Sequence, residues 1–171
     1  VDADLLDAAV RVAAAHGDAE RFADFRRRAA DPGATPQERL RYQGALADFP
    51  GADEVDVFLA MTVTDEVRSQ DAPFVLRRAL GSRDHTGRVW EFMARSWDDL
   101  LDCFPSRGID RMLEGIRTVT DPATAAAIDG FLAEHPVPQA GPTLDQHRER
   151  MRAGVLLREA EGAALALALS R

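Results

Sequence analysis

Apolar residues recur at three- and four-residue intervals along nearly the whole chain, and almost nowhere do they alternate as a half-buried strand requires. Leu5, Leu6, Ala9, Val10 and Ala13 mark a first helix, closed by His16-Gly17, where glycine is free to take a positive φ. Asp18 is placed to cap a second helix with a narrow buried face of Phe22, Phe25 and Ala29, and Asp31-Pro32-Gly33 ends it. Thr35-Pro36-Gln37-Glu38 holds the residues of a capping box: Thr35 as N-cap, Pro36 where its missing N–H costs nothing, and Glu38 reaching back. Leu40, Tyr42, Leu46 and Phe49 follow, Pro50-Gly51 breaks the chain, and Val55, Phe58, Leu59 and Thr62 supply the next helix. Asp71 and Pro73 open another, carried by Phe74, Val75, Leu76, Ala79 and Leu80 and terminated by Gly81.

The densest pattern lies between Val89 and Phe104. Trp90, Met93, Trp97, Leu100, Leu101 and Phe104 fall on one side of a single predicted helix, with Val89 and Phe92 as a second apolar flank. A helix covered on two sides belongs inside a stack and acts as a packing centre. After Pro105-Ser106-Arg107-Gly108, the residues Ile109, Met112, Leu113, Ile116 and Val119 keep helical order throughout. Asp121-Pro122 caps the next element, which buries Ala127, Ile128, Phe131 and Leu132. A proline-rich loop from His135 to Pro142 leads to Thr143-Leu144-Asp145-Gln146, read as a second capping box before the last helices. The alternation Leu165-Ala166-Leu167-Ala168-Leu169 matches a strand by period alone, but its alanine content favours helix.

The starts near Thr35, Asp71, Arg107 and Thr143 recur every ~36 residues, each opening a two-helix unit, as in stacked helical hairpins. The fold expected is all-α: an α-solenoid of antiparallel hairpins, a superhelix of the irregular HEAT or armadillo kind. Neither a Trp-Leu-Gly-Tyr tetratricopeptide signature nor an ankyrin Thr-Pro-Leu-His motif is present. At 171 residues the chain fits one helical-repeat domain, 1–171, and a start at Val1 instead of methionine suggests a segment cut from a longer protein.

A net charge of −8 argues against a nucleic-acid partner, since phosphate contact needs a positive face. No run of residues is apolar enough to cross a bilayer and the first residues lack a signal-peptide pattern, so no membrane partner is expected, and the lone Cys103 makes a reducing cytoplasm the expected location. Every cationic side chain is arginine, with lysine and asparagine both absent, a bias that fits a GC-rich genome. Cys103 is alone, which excludes an internal disulfide and a cysteine zinc site, and a small buried thiol is the expectation for it.

His16, His85, His135 and His147 form no H-E-x-x-H and no i, i+4 pair, so no zinc site is readable and surface or helix-end roles are expected. Asp98, Asp99 and Asp102 lie opposite the aromatic stripe and read as a solvated face, not as an acid/base cluster. Arg26-Arg27-Arg28 and the series Arg148, Arg150 and Arg152 read as surface ion pairs, with a groove-facing arginine that meets a carboxylate as the alternative. The tryptophans are at core spacing, although indoles can also stack on a ligand. No catalytic residue and no metal ligand is assigned, and no substrate-binding residue can be named.

The run Glu66-Val67-Arg68-Ser69-Gln70-Asp71-Ala72-Pro73, then Arg88-Val89-Trp90-Glu91-Phe92 and Ser96-Trp97-Asp98-Asp99-Leu100, resembles the C-terminal helical domain of the aminopeptidase N family. These are zinc-dependent gluzincin aminopeptidases, among them the puromycin-sensitive and endoplasmic-reticulum antigen-trimming enzymes. Thr35-Pro36-Gln37-Glu38 with Tyr42 and Ala45-Leu46, Met112-Leu113-Glu114-Gly115-Ile116, Phe131-Leu132-Ala133-Glu134-His135 and Glu149-Arg150-Met151-Arg152 extend the resemblance over nearly the whole chain. Arg68, Gln70, Asp71, Trp90, Phe92 and Trp97 are its structural motif residues.

In such enzymes catalysis resides in an upstream thermolysin-like domain, where an H-E-x-x-H helix and a later glutamate hold zinc and a G-x-M-E-N loop grips the free amine. None of those motifs occurs here, so the resemblance implies zinc in the parent enzyme and no cofactor in this segment. It further implies a bowl of hairpins that closes over the catalytic domain of the same chain and walls a peptide chamber. The expected partners are that domain and the peptide substrate, with homodimerisation of an isolated fragment through an uncovered apolar face. The alternative is a stand-alone helical-repeat adaptor that binds a protein on its concave face.

Overall fold

The computed structural model describes residues 3–82, 84–138 and 140–170, apart from the Ser106 side chain. The described residues form ten α-helices and one 3-10 turn, with no strand among them. In order these are α1 (Ala3–Ala15), α2 (Ala19–Ala30), α3 (Pro36–Leu46), α4 (Ala52–Met61), α5 (Ala72–Ala79), α6 (Thr86–Arg95) and α7 (Trp97–Cys103). There follow α8 (Ser106–Leu113), the 3-10 turn Glu114–Thr118, α9 (Pro122–Glu134) and α10 (Gly141–Leu169). α3 packs on α5, α5 on α8 and the 3-10 turn, and both of these on α10, while α6 lies on α9. The opening helix of each unit thus rests on that of the next, and one continuous apolar core runs from Val10 to Met151.

Where start signals are local, they form as read. The Thr35 hydroxyl accepts the Glu38 N–H at 3.3 Å and the Glu38 carboxylate accepts the Thr35 N–H at 2.9 Å, closing the capping box on α3. These hydrogen bonds, the backbone one foremost, hold the Glu38 carboxyl below its ordinary pKa. Asp18 caps α2 and Asp121 caps α9, each through a carboxylate accepting an N–H three residues on. Asp71 occupies the N-cap position of α5 without a side-chain cap bond.

Several expectations change. The tryptophan helix is two helices, kinked at Ser96 (φ −99°, ψ 19°). Its hydrogen-bond ladder nevertheless runs on through Ser96 N–H to Phe92 C=O and Leu100 N–H to Ser96 C=O. Trp90 and Met93 before the kink, and Trp97 and Leu100 after it, are all buried. The pattern from Ile109 to Val119 likewise tightens into the 3-10 turn after Leu113. There Gly115 passes so close to α5 that a Cβ would lie 2.7 Å from the Arg77 carbonyl oxygen. Thr143 caps nothing: α10 begins at Gly141, whose φ of +41° is the only positive one among the described residues, so Thr143 lies within the first turn. A single 29-residue helix replaces the expected last pair.

Gly17 does not take a positive φ; space explains it better, since a Cβ would meet Phe49 Cε1 at 2.5 Å. On α1 only Val10 and Ala14 are buried, leaving Leu5, Leu6 and Val12 exposed, and Leu40 and Ala127 also face outward. Beyond Met151, Arg152 and Val155 still touch the body and Arg158 donates to the Thr120 hydroxyl, while Leu156, Leu157, Leu165, Leu167 and Leu169 are exposed. Among the described residues, no helix is long and apolar enough to cross a membrane.

Candidate functional site

Eight of the ten residues joining α4 to α5 line a cleft of about 780 Å³, together with Cys103 and Phe104 at the end of α7. Val67, 2% exposed, plugs this loop into the core. The Gln43 side-chain amide donates to the Glu66 carbonyl at 3.3 Å from below. Thr64 accepts the Glu66 N–H, and the Arg68 carbonyl accepts the N–H groups of Asp71 and Ala72, turning the chain into α5. With its backbone pinned at these points, the loop presents the exposed side chains of Arg68, Ser69 and Gln70 to the cleft, where none has a partner among the described residues.

The motif residues therefore divide between two jobs. Trp90 and Trp97 are buried, and both meet Phe131 of α9 edge-to-face, with ring centroids 5.7 and 5.3 Å apart. Phe92 packs half-buried against the same core. Arg68 and Gln70 face the cleft, and Asp71, next in the chain, marks the entry to α5. The tryptophans are thus packing residues with no open face for a ligand. Cys103, expected to be buried, is exposed at the rim, because the last turn of α7 directs Leu100 inward and Cys103 away from it.

The histidines stay apart. His85 hydrogen-bonds the Pro50 carbonyl at 2.9 Å, and His135 stacks on Phe131 with centroids 3.9 Å apart. His147 is half-buried on α10, and that burial keeps its pKa below the ordinary value, favouring the neutral ring. Among the described residues, no group of three or more His, Cys, Asp or Glu side chains could hold a metal ion. Asp98, Asp99 and Asp102 are exposed to solvent.

Of the arginines singled out by sequence, Arg26 pairs with Glu66 through two nitrogens, while Arg27 and Arg28 pair with Asp24 on the same helix. Arg148 and Arg152 clamp Asp129, tying α10 to α9. Burial raises the Asp129 pKa, but the hydrogen bonds and charges of the two guanidinium groups outweigh it and leave the carboxyl below its ordinary range.

A second set of arginines is assembled largely by long-range pairs. Arg77 of α5 and Arg117 of the 3-10 turn meet the two oxygens of Glu114 at 2.7 and 3.0 Å, with Arg111 at 3.8 Å. Arg78 of α5 and Arg11 of α1 share Asp48 at 2.5 and 3.3 Å. Two carboxylates thus serve five guanidinium groups. Arg111 and Arg117 are three positions from Glu114, but Arg77–Glu114, Arg78–Asp48 and Arg11–Asp48 span 30 to 37 positions, so only the packing of α1, α5 and the 3-10 turn brings the set together.

The ERAP1-like C-terminal domain family model matches residues 1–153 of the chain. Aminopeptidase M1-B of Oryza sativa subsp. japonica is 32% identical over 123 residues, which is 70% of this chain and 14% of the relative. Aminopeptidase M1-D of the same plant is 30% identical over 118 residues, 68% of this chain and 13% of the relative. The chain therefore spans only about one seventh of the length of the curated relatives it matches. With the family model covering nearly the whole of this all-α chain, the chain belongs to the ERAP1-like C-terminal domain family.

Proposed function

We propose that this segment is the C-terminal helical part of a zinc aminopeptidase that removes N-terminal residues from peptides, and that it walls and closes the peptide chamber without entering the chemistry. The observation that carries this reading is family membership over residues 1–153 combined with relatives, named as aminopeptidases, of which the segment makes up about one seventh. On this reading zinc and the groups that activate water belong to a catalytic domain elsewhere in the same chain, as the aminopeptidase relatives suggest.

Two features suit a wall. The Arg68-Ser69-Gln70 loop offers hydrogen-bonding side chains without partners among the described residues, on a pinned backbone, able to meet a peptide's carbonyl groups without ordering at each binding event. The apolar outer face of α1, with Leu5 and Val12 more than half exposed, is where preceding helices of the parent would continue the stack. A continuous core from Val10 to Met151 lets the segment move as one body, shutting out bulk water and limiting substrate length when it closes.

The test is the reading frame upstream of the codon for Val1. An H-E-x-x-H sequence followed by a glutamate supports the parent peptidase. A frame that begins beside Val1 and encodes no such sequence overturns it and leaves the adaptor reading.

A further inference from the structure

The arginine cluster on α1, α5 and the 3-10 turn does more than tie helices together. A cleft of about 430 Å³ is lined by Arg11, Arg77, Arg78 and Arg117 against a single carboxylate, Glu114, with Phe74 on its wall. Asp48 pairs with Arg11 and Arg78, and Arg111 crowds onto Glu114 as well. The local balance is positive on a chain whose net charge is −8. Arg77, Arg117 and Arg111 remain 41 to 62% exposed, so their outer N–H groups are open to a further acceptor. The guanidinium planes are held in place by Glu114 and Asp48, which lowers the entropy lost when an anion docks. Phe74, 51% exposed in their midst, gives an incoming chain an apolar contact.

We propose that this cleft is a docking site for an acidic protein segment, one carrying two or more Asp or Glu side chains beside an aliphatic or aromatic residue. An excess of several guanidinium groups calls for more than one carboxylate, and the fork geometry of arginine matches carboxylates bidentately. A nucleic acid is disfavoured because a long polyanion would extend beyond the cleft over an otherwise acidic surface. Binding here does not depend on the chamber reading, since the cleft shares none of the Arg68, Ser69 and Gln70 side chains.

The experiment is fluorescence anisotropy of a labelled, end-blocked peptide with the core Asp-Glu-Phe-Glu-Asp against the full-length protein, at increasing salt. Saturable binding that weakens with salt is expected, with no binding of the Lys-Arg-Phe-Arg-Lys counterpart. Arg77→Gln with Arg117→Gln should weaken binding by about tenfold or more. Phe74→Ala, at an exposed position, should weaken it severalfold without touching the ion pairs, and Arg27→Gln on α2 should leave it unchanged. Circular dichroism melts establish that each variant is folded. Unchanged affinity in both the double variant and Phe74→Ala overturns the proposal. So does binding only when the peptide's C-terminus is left free, or tighter, Phe74-independent binding of inorganic tripolyphosphate.

Discussion

Phe131→Ala should open the packing centre on which three helices meet. The Phe131 ring stands edge-on to Trp90 of α6 at 87° and to Trp97 of α7 at 77°, so one side chain of α9 closes both halves of the kinked tryptophan pair. Truncating a fully buried phenylalanine costs about 3–5 kcal/mol, and each aromatic pair contributes about 0.5–1.5 kcal/mol beyond area. Phe131 is half-buried, which places the expected loss at the lower end, about 3 kcal/mol, and the expected fall in Tm at about 6–12 °C for a chain of this size. The chain holds only these two tryptophans, so tryptophan emission, excited selectively over that of Tyr42, reports on this site and nowhere else. Emission should shift to the red at low denaturant, before global unfolding, as water reaches both indoles. Phe131→Leu keeps apolar volume but loses the edge-to-face geometry, and should cost about 1 kcal/mol. A loss below about 1 kcal/mol for Phe131→Ala, with unchanged emission, would refute the view that α9 locks this centre.

Gly115→Ala should cost about 1–3 kcal/mol in urea unfolding, because its Cβ would press on the Arg77 carbonyl oxygen at 2.7 Å and on Leu80 Cδ1 at 3.0 Å. Gly130→Ala, in the exposed face of α9 with nothing within 4 Å, should instead stabilise by about 0.5–1 kcal/mol. A depressed Asp129 pKa in the folded state contributes stability above the unfolded value, lost as pH falls from about 4 through the folded value. Asp129→Asn should therefore lower the urea midpoint at pH 7 and flatten its decline toward pH 3, and an unchanged acid slope would contradict the clamp by Arg148 and Arg152. Cys103, exposed on the cleft rim, should react fully with a maleimide in the native state, and a thiol that reacts only in denaturant would show it is buried.

Features built from neighbouring residues were legible in the sequence. The Thr35–Glu38 box, the Asp18 and Asp121 caps and the tryptophan stripe each need only a few consecutive positions to declare themselves. Periodicity could not reveal the kink at Ser96, since Trp90, Met93, Trp97 and Leu100 stay on the core side whether the helix is straight or bent. It also could not place the 3-10 turn, which follows from how close Gly115 lies to α5. The second capping box failed because Gly141 and Pro142 supply an earlier start three residues upstream of Thr143's expected role. The resemblance located Arg68 and Gln70, and the fold supplied the cleft they face. The arginine cleft was illegible: Arg77 and Glu114 are 37 positions apart and meet only once α5 packs on the 3-10 turn.

The most direct measurement is hydrolysis of a fluorogenic aminoacyl reporter, with zinc present, by the full-length protein and by this segment alone, each at equal concentration. The full-length protein should release the fluorophore and lose activity to a zinc chelator, while the segment alone should release none with or without zinc. Hydrolysis by the segment, or none by the full-length protein, would contradict a non-catalytic wall on a zinc aminopeptidase.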